Sequence, residues 1–210
     1  GKVGEVVELL GAIGTALLGR HYELDVRALD NDEPVTVGFS GLDDWASYDD
    51  ARLHPPLPGL IMRLWTHGEI DPSGGRAVSA LAGVATVALA FALGRRVGGR
   101  FGAWIAALLV ALSPIALHVS QLARGYALLA FGVLLAHTCL TRALESGRER
   151  WWLAYSAAVV FAALSEYGAI APIAADALLA ALLTRDRAAR IGVATSLGAA
   201  VATVGFVVPF

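Results

Sequence analysis

Long apolar blocks, each ended by a short Arg- or Gly-rich gap, run through most of this 210-residue chain. A helix needs roughly 20 apolar residues to cross about 30 Å of hydrocarbon. Blocks of that order occupy 77–97, 102–118, 125–141, 151–166 and 191–210. A further block, 168–184, contains Pro172 and Asp176, and another, 3–19, is interrupted by Glu5 and Glu8. A soluble core has no need of such punctuation. The composition agrees: 57% of residues are hydrophobic and 16% charged, with a mean hydropathy of +0.63. Soluble domains run at about 45–50% apolar and about 25% charged. The pattern predicts an all-α polytopic membrane protein with about seven transmembrane helices, in a single domain over 1–210.

The gaps orient the chain. Three alternate gaps hold Arg95, Arg96 and Arg100, then Arg142, Arg148 and Arg150, then Arg185, Arg187 and Arg190, whereas the short gaps on the other side hold only Arg124. Basic residues in short loops mark the cytoplasmic face. Residues 119–124, 166–168 and the long segment 20–76 are therefore expected outside, in the periplasm or its equivalent, which predicts an integral protein of a bacterial inner membrane. Within 20–76, an acidic stretch precedes His54-Pro55-Pro56-Leu57 and the amphipathic run Leu60-Ile61-Met62-Arg63-Leu64-Trp65. That run is too short to span. It is expected as a short interfacial helix, with the prolines at its start.

The net charge of −2 implies no nucleic-acid partner. The single cysteine, Cys139, excludes an intrachain disulfide and a cysteine-based zinc site. No cleavable signal peptide is visible. A chain that starts at Gly1 and stops within an apolar run is expected to be a piece of a longer protein.

Several residues on the outer side are candidates for chemistry. Asp32-Glu33 lies just beyond the first block; a carboxylate there suits a general base, or equally a solvated loop or helix cap. His54 beside two prolines suits a headgroup pocket or a helix start. Arg124 breaks the charge bias and calls for a partner such as a phosphate, or snorkels beside Tyr126. Arg76 is a second phosphate clamp or an interfacial cap. The acids Asp43-Asp44 and Asp49-Asp50 could collect a divalent cation, although a solvated loop serves them as well; no cofactor is otherwise implied. Glu166, with Tyr167, ends a block on the outer side. Asp176 lies inside a block, where acids are costly and often functional. His137 and Cys139 read as packing residues.

In order, spacing and membrane side these motifs resemble the GT-C glycosyltransferases of the family-39-like group. That group includes protein mannosyltransferases, aminoarabinose–lipid A transferases and RgtA-like galacturonosyltransferases. The resemblance rests on Asp32-Glu33, His54-Pro55-Pro56-Leu57, Arg76-Ala77-Val78-Ser79-Ala80-Leu81, Gly94-Arg95-Arg96, Ser113-Pro114 and Ser120-Gln121-Leu122-Ala123-Arg124-Gly125-Tyr126, across about residues 24–185. Leu122 departs from it, since many relatives carry an acid there.

The resemblance implies transfer of a sugar, with inversion, from a polyprenyl-phosphate donor to a lipid, glycan or protein acceptor on the outer face. Asp32, with Glu33 beside it, would supply the catalytic base. Arg124, Arg76, His54 and Tyr126 would hold the donor phosphate, with Asp43, Asp44, Glu166 and Gln121 as secondary candidates. The competing reading is a transporter or flippase-like protein built around Asp176 and Pro172.

Overall fold

The computed structural model describes residues 2–21, 24, 28–29, 33–41, 54–183 and 187–207. Asp32, Asp43, Asp44, Asp49 and Asp50 lie outside the described residues. All described regular structure is helical: α1 (Lys2–His21), α2 (Glu33–Ser40), α3 (Pro56–Trp65), α4 (Pro72–Ala111), α5 (Pro114–Ser120), α6 (Tyr126–Ser146), α7 (Glu149–Ser165), a 3-10 turn (Tyr167–Ala169), α8 (Ile170–Leu183) and α9 (Arg187–Val207).

Proline sets several of the starts. Pro56, Pro72 and Pro114 each open a helix, where the missing N–H costs nothing. The caps before α4 and α5 are Asp71 and Ser113, whose side chains accept from the N–H groups of Ser73 and Ala116. Helix α3 appears where the amphipathic run lies. It buries Pro56, Pro58, Gly59 and Met62 and leaves Leu64 and Trp65 exposed.

The 40 residues of α4 form two arms. Gly98 (φ −123°, ψ 19°) and Gly99 (φ 60°, ψ −149°) leave the helical region, the latter in a conformation open essentially to glycine alone. Beyond them the chain doubles back. A Cβ placed on Gly94 would run into the Gly102 carbonyl and lie 2.7 Å from the Ala106 Cβ. Val84, Val87 and Phe91 of the first arm share a core with Ala103, Ala107 and Ala111 of the second, and with Ala12 and Ala16 of α1. Phe91 and Trp104 meet edge to face, with centroids 6.0 Å apart. A second core joins α6 to α7, α8 and α9 around Tyr155, Val159 and Ala162.

Helices appear at every apolar block, but the seven expected spans are not all reached. Among the described residues two helices, α4 and α6, are long and apolar enough to cross a membrane. Helices α7 and α8 have 17 and 14 residues. At about 1.5 Å per residue both fall short of about 30 Å. Ser113-Pro114 divides the block 102–118 between the second arm of α4 and α5. Glu5 and Glu8 dilute α1, and Arg187 and Arg190 dilute the start of α9.

Charge separates along the bundle. Arg96 pairs with Glu145, Arg100 pairs with Glu8, and Arg142 and Arg150 lie over Trp151. The opposite end gathers the start of α4, the turn 121–125 and the turn 166–169.

Gly94→Val should lower the thermal midpoint in detergent sharply, because overpacking costs about 1–3 kcal/mol or more. Gly98→Ala should leave it nearly unchanged, since a Cβ there meets nothing within 4 Å. Equal effects of the two would contradict the hairpin.

Candidate functional site

A buried carboxylate organises the end of the bundle opposite the arginine-rich turns. Glu33, the first residue of α2, is fully buried. Its Oε1 accepts from Arg76 Nε at 2.9 Å and its Oε2 from Arg76 Nη2 at 2.8 Å. Oε1 also accepts the Ala123 backbone N–H at 2.7 Å. Arg76 sits one turn into α4 and is 3% exposed. It donates further to the carbonyls of Leu24 (Nη1, 2.8 Å) and Ala28 (Nη2, 3.0 Å). One two-pronged ion pair thus ties the segment after α1, the start of α2, the start of α4 and the turn before α6 together. The geometry is the planar fork that arginine offers and lysine does not.

Close backbone approach lets the pair form. A Cβ on Gly75 would stand 3.1 Å from the Ala123 Cβ and 3.3 Å from Met62 Sδ. Ser79, one turn further along α4, donates to the Arg124 carbonyl at 3.2 Å. A Cβ on Gly125 would collide with the Ser165 carbonyl and stand 3.0 Å from Pro58. Glycine is therefore required at 125 to bring the turn under α3 and against the end of α7.

The other sequence candidates fall around this core. Arg124 is buried; its guanidinium carbon lies 5.4 Å from the Tyr126 ring centroid, and Nη2 is 3.4 Å from the Tyr126 hydroxyl. Gln121 donates from Nε2 to the Gly19 carbonyl at 3.2 Å, joining the turn to the end of α1. His54 is half-buried at the chain entering α3. Glu166 caps the 3-10 turn, Oε1 accepting the Tyr167 N–H at 3.2 Å. Burial, and then the Glu166 carboxylate, push the Tyr167 phenol up, so it stays a protonated donor. Glu33 and Arg76, expected at the base and at the donor phosphate, are bound to each other. Asp32 is the next residue in the chain before Glu33. The doubled acids that suggested a cation site lie outside the described residues, and among those described no cluster of three or more His, Cys, Asp or Glu could hold a metal.

Two features lay beyond the sequence reading. Ala123 contributes through its backbone N–H, which no side-chain pattern reveals. Arg20, at the end of α1, is wholly buried; the signal available was an arginine directly at the end of the first apolar block. His137, read as packing, instead places Nδ1 2.8 Å from Asp176 Oδ1. Asp176 is thereby matched by a neighbouring helix.

An all-helical bundle with apolar helices of membrane length, carrying a buried Glu–Arg pair and an Arg–Tyr turn at one end, defines the class. Residues 53–210 match the model of the dolichyl-phosphate-mannose-protein mannosyltransferase family. The chain belongs to that family, a GT-C family of integral membrane proteins. It is also 43% identical over 74 residues to a protein of Bacillus subtilis (strain 168) described as "Putative mannosyltransferase YycA", the match covering 35% of this chain and 11% of that protein. The match thus spans about a tenth of the length of this curated relative. No solved structure matches.

Breaking a buried pair on one side leaves an uncompensated charge, at about 3–5 kcal/mol. Arg76→Met and Glu33→Leu should each lower the melting temperature strongly. The double variant should recover much of the loss, giving a coupling energy of about 1–3 kcal/mol in a double-mutant cycle. Additive effects would show that the two residues act independently.

Proposed function

We propose that this chain is the part of a membrane glycosyltransferase that holds the catalytic base and the donor phosphate. The sugar moves from a polyprenyl-phosphate carrier to a lipid, glycan or protein acceptor on the outer face, with inversion. The observation that carries the reading is the Glu33–Arg76–Ala123 junction. It anchors the residue next to Asp32 directly on the turn that bears Arg124.

In this scheme Asp32 takes the proton of the acceptor hydroxyl or amine. The acceptor atom attacks the anomeric carbon from the face opposite the phosphate. The bond from that carbon to the phosphate oxygen breaks, and the carrier leaves as polyprenyl phosphate. A single displacement inverts the anomeric centre. Charge builds on the leaving phosphate, so a fixed cation beside it lowers the barrier. Arg124, stacked on Tyr126, fills that role. Glu33 and Arg76 act as positioning residues, with their charges spent on each other. His54 is a further donor-phosphate residue in this scheme, with Gln121 and Glu166 as secondary candidates. The acidic stretch containing Asp43 and Asp44 remains the candidate for a divalent cation.

Asp32→Asn should lower transfer by about 10²–10⁴-fold while leaving expression and melting temperature intact. Arg124→Ala should raise the KM for the donor. The assay supplies radiolabelled polyprenyl-phosphate sugars to the full chain in nanodiscs, with and without a chelator. Full activity in Asp32→Asn would remove the base assignment. Absence of transfer from every such donor would overturn the reading.

A further inference from the structure

At the end of the bundle opposite the Glu33–Arg76 pair, the arginines fall into two sets. Arg96 and Arg100 are neutralised by Glu145 and Glu8. Arg142 and Arg150 converge instead on one indole, their guanidinium carbons 4.7 and 5.5 Å from the Trp151 ring centroid. Two like charges are thus held within about 10 Å, one Debye length at about 0.1 M salt, so salt screens their repulsion only in part. Among the described residues no carboxylate pairs with Arg142, Arg148 or Arg150, and neither of the stacked guanidinium groups donates a hydrogen bond to the protein. Glu145 is already engaged by Arg96, and Glu149 is exposed.

The backbone fixes this arrangement. Only Gly147 and Arg148 separate α6 from α7. Gly147 takes the left-handed conformation (φ 62°) that closes α6, its N–H bonding the Ala143 carbonyl at 2.9 Å. Ser146 Oγ donates to the Arg142 carbonyl at 2.6 Å and accepts the Arg148 N–H at 3.4 Å. Trp152, next in the chain, packs on α9: it meets Tyr155 edge to face, and a Cβ on Gly192 would stand 2.6 Å from its ring. Trp152 therefore locks the start of α7 onto the core, while Trp151 carries the arginines.

Stacking uses the face of a guanidinium and leaves its N–H edge for an acceptor. Leu153, three residues after Arg150 and so on the same side of α7, is 72% exposed. Two cations lacking an anion thus adjoin an apolar surface at the end of a bundle of membrane helices, the setting in which anionic lipid headgroups are recognised.

We propose that Arg142 and Arg150, held over the Trp151 indole, bind the phosphodiester headgroup of an anionic phospholipid whose acyl chain runs along Leu153. The net negative charge of such a lipid answers the two cations; a phosphatidylcholine phosphate is already balanced by its own choline. The inference stands apart from the sugar-transfer reading, which involves the other end of the bundle.

The test measures lipid binding to the full chain in detergent by native mass spectrometry, with phosphatidylglycerol, phosphatidylcholine and inorganic phosphate as the arms. Phosphatidylglycerol should bind about tenfold more tightly than phosphatidylcholine, and about 1 M salt should erase the difference. Arg142→Gln and Arg150→Gln should each weaken phosphatidylglycerol about fivefold. Arg148→Gln removes the same charge from the same turn without touching the indole, and should change binding little. Arg142→Lys keeps the charge without the fork and should fall between; it carries the comparison if Arg142→Gln folds poorly.

Equal binding of the two phospholipids would overturn the proposal, as would undiminished selectivity in the Arg142→Gln/Arg150→Gln double variant. Equal losses in Arg142→Gln, Arg148→Gln and Arg150→Gln would replace the seat on Trp151 with a diffuse attraction. Displacement of phosphatidylglycerol by inorganic phosphate at equal concentration would show that the acyl chain contributes nothing and would remove the lipid assignment.

Discussion

Everything at one end of the bundle depends on the ion pair between Glu33 and Arg76. Two ions taken from water cost several kcal/mol each, and mutual attraction offsets that only when the remaining donors and acceptors are also satisfied. Here they are. Among the described residues Arg76 donates four hydrogen bonds and the Glu33 carboxylate accepts three. Because the partners come from four separate stretches of chain, the pair works as a clasp. It holds the polypeptide after α1 against the start of α4 and the turn at 123. A shift of either helix start would strand a buried charge, so the pair enforces one arrangement.

Small residues make the clasp geometrically possible. Gly75 lets α4 meet Ala123, Gly83 admits the Arg20 guanidinium, and Gly125 passes under α3. Gly132 brings α6 onto Phe161 and Ala162 of α7. Close approach of backbones replaces the bulky interdigitation of a soluble core, as is usual where helices pack without a hydrophobic drive between them. The polar groups thereby enter a dry setting, where a fixed positive charge acts strongly on a phosphate.

The His137–Asp176 pair is a separate solution to the same problem. It lies between α6 and α8, away from the clasp. Asp176 needs a partner at that depth, and His137 supplies one. The pair ties α8, which is short, to α6, one of the two described helices of membrane length.

The sequence alone determined the helical class and the position of most of the long helices, because apolar blocks, Pro at helix starts and Gly-rich gaps are local signals. Pro56, Pro72 and Pro114 announce starts that depend on no distant contact. The clustering of Arg95, Arg96, Arg100, Arg142, Arg148 and Arg150 at one end was likewise readable, since the charge bias of short gaps is a count along the chain. Which charged residue faces which was not. Glu33 and Arg76 are 43 positions apart, and Ala123 is 90 from Glu33. Nothing in the spacing distinguishes a carboxylate that serves as a base from one that neutralises an arginine. Block length also ignores the break at Ser113-Pro114 and the shortness of α7 and α8. Pairing of buried charges is decided by three-dimensional proximity and by desolvation, which exist only once helices pack. For that reason the tertiary structure alone gave Glu33 to Arg76 and His137 to Asp176.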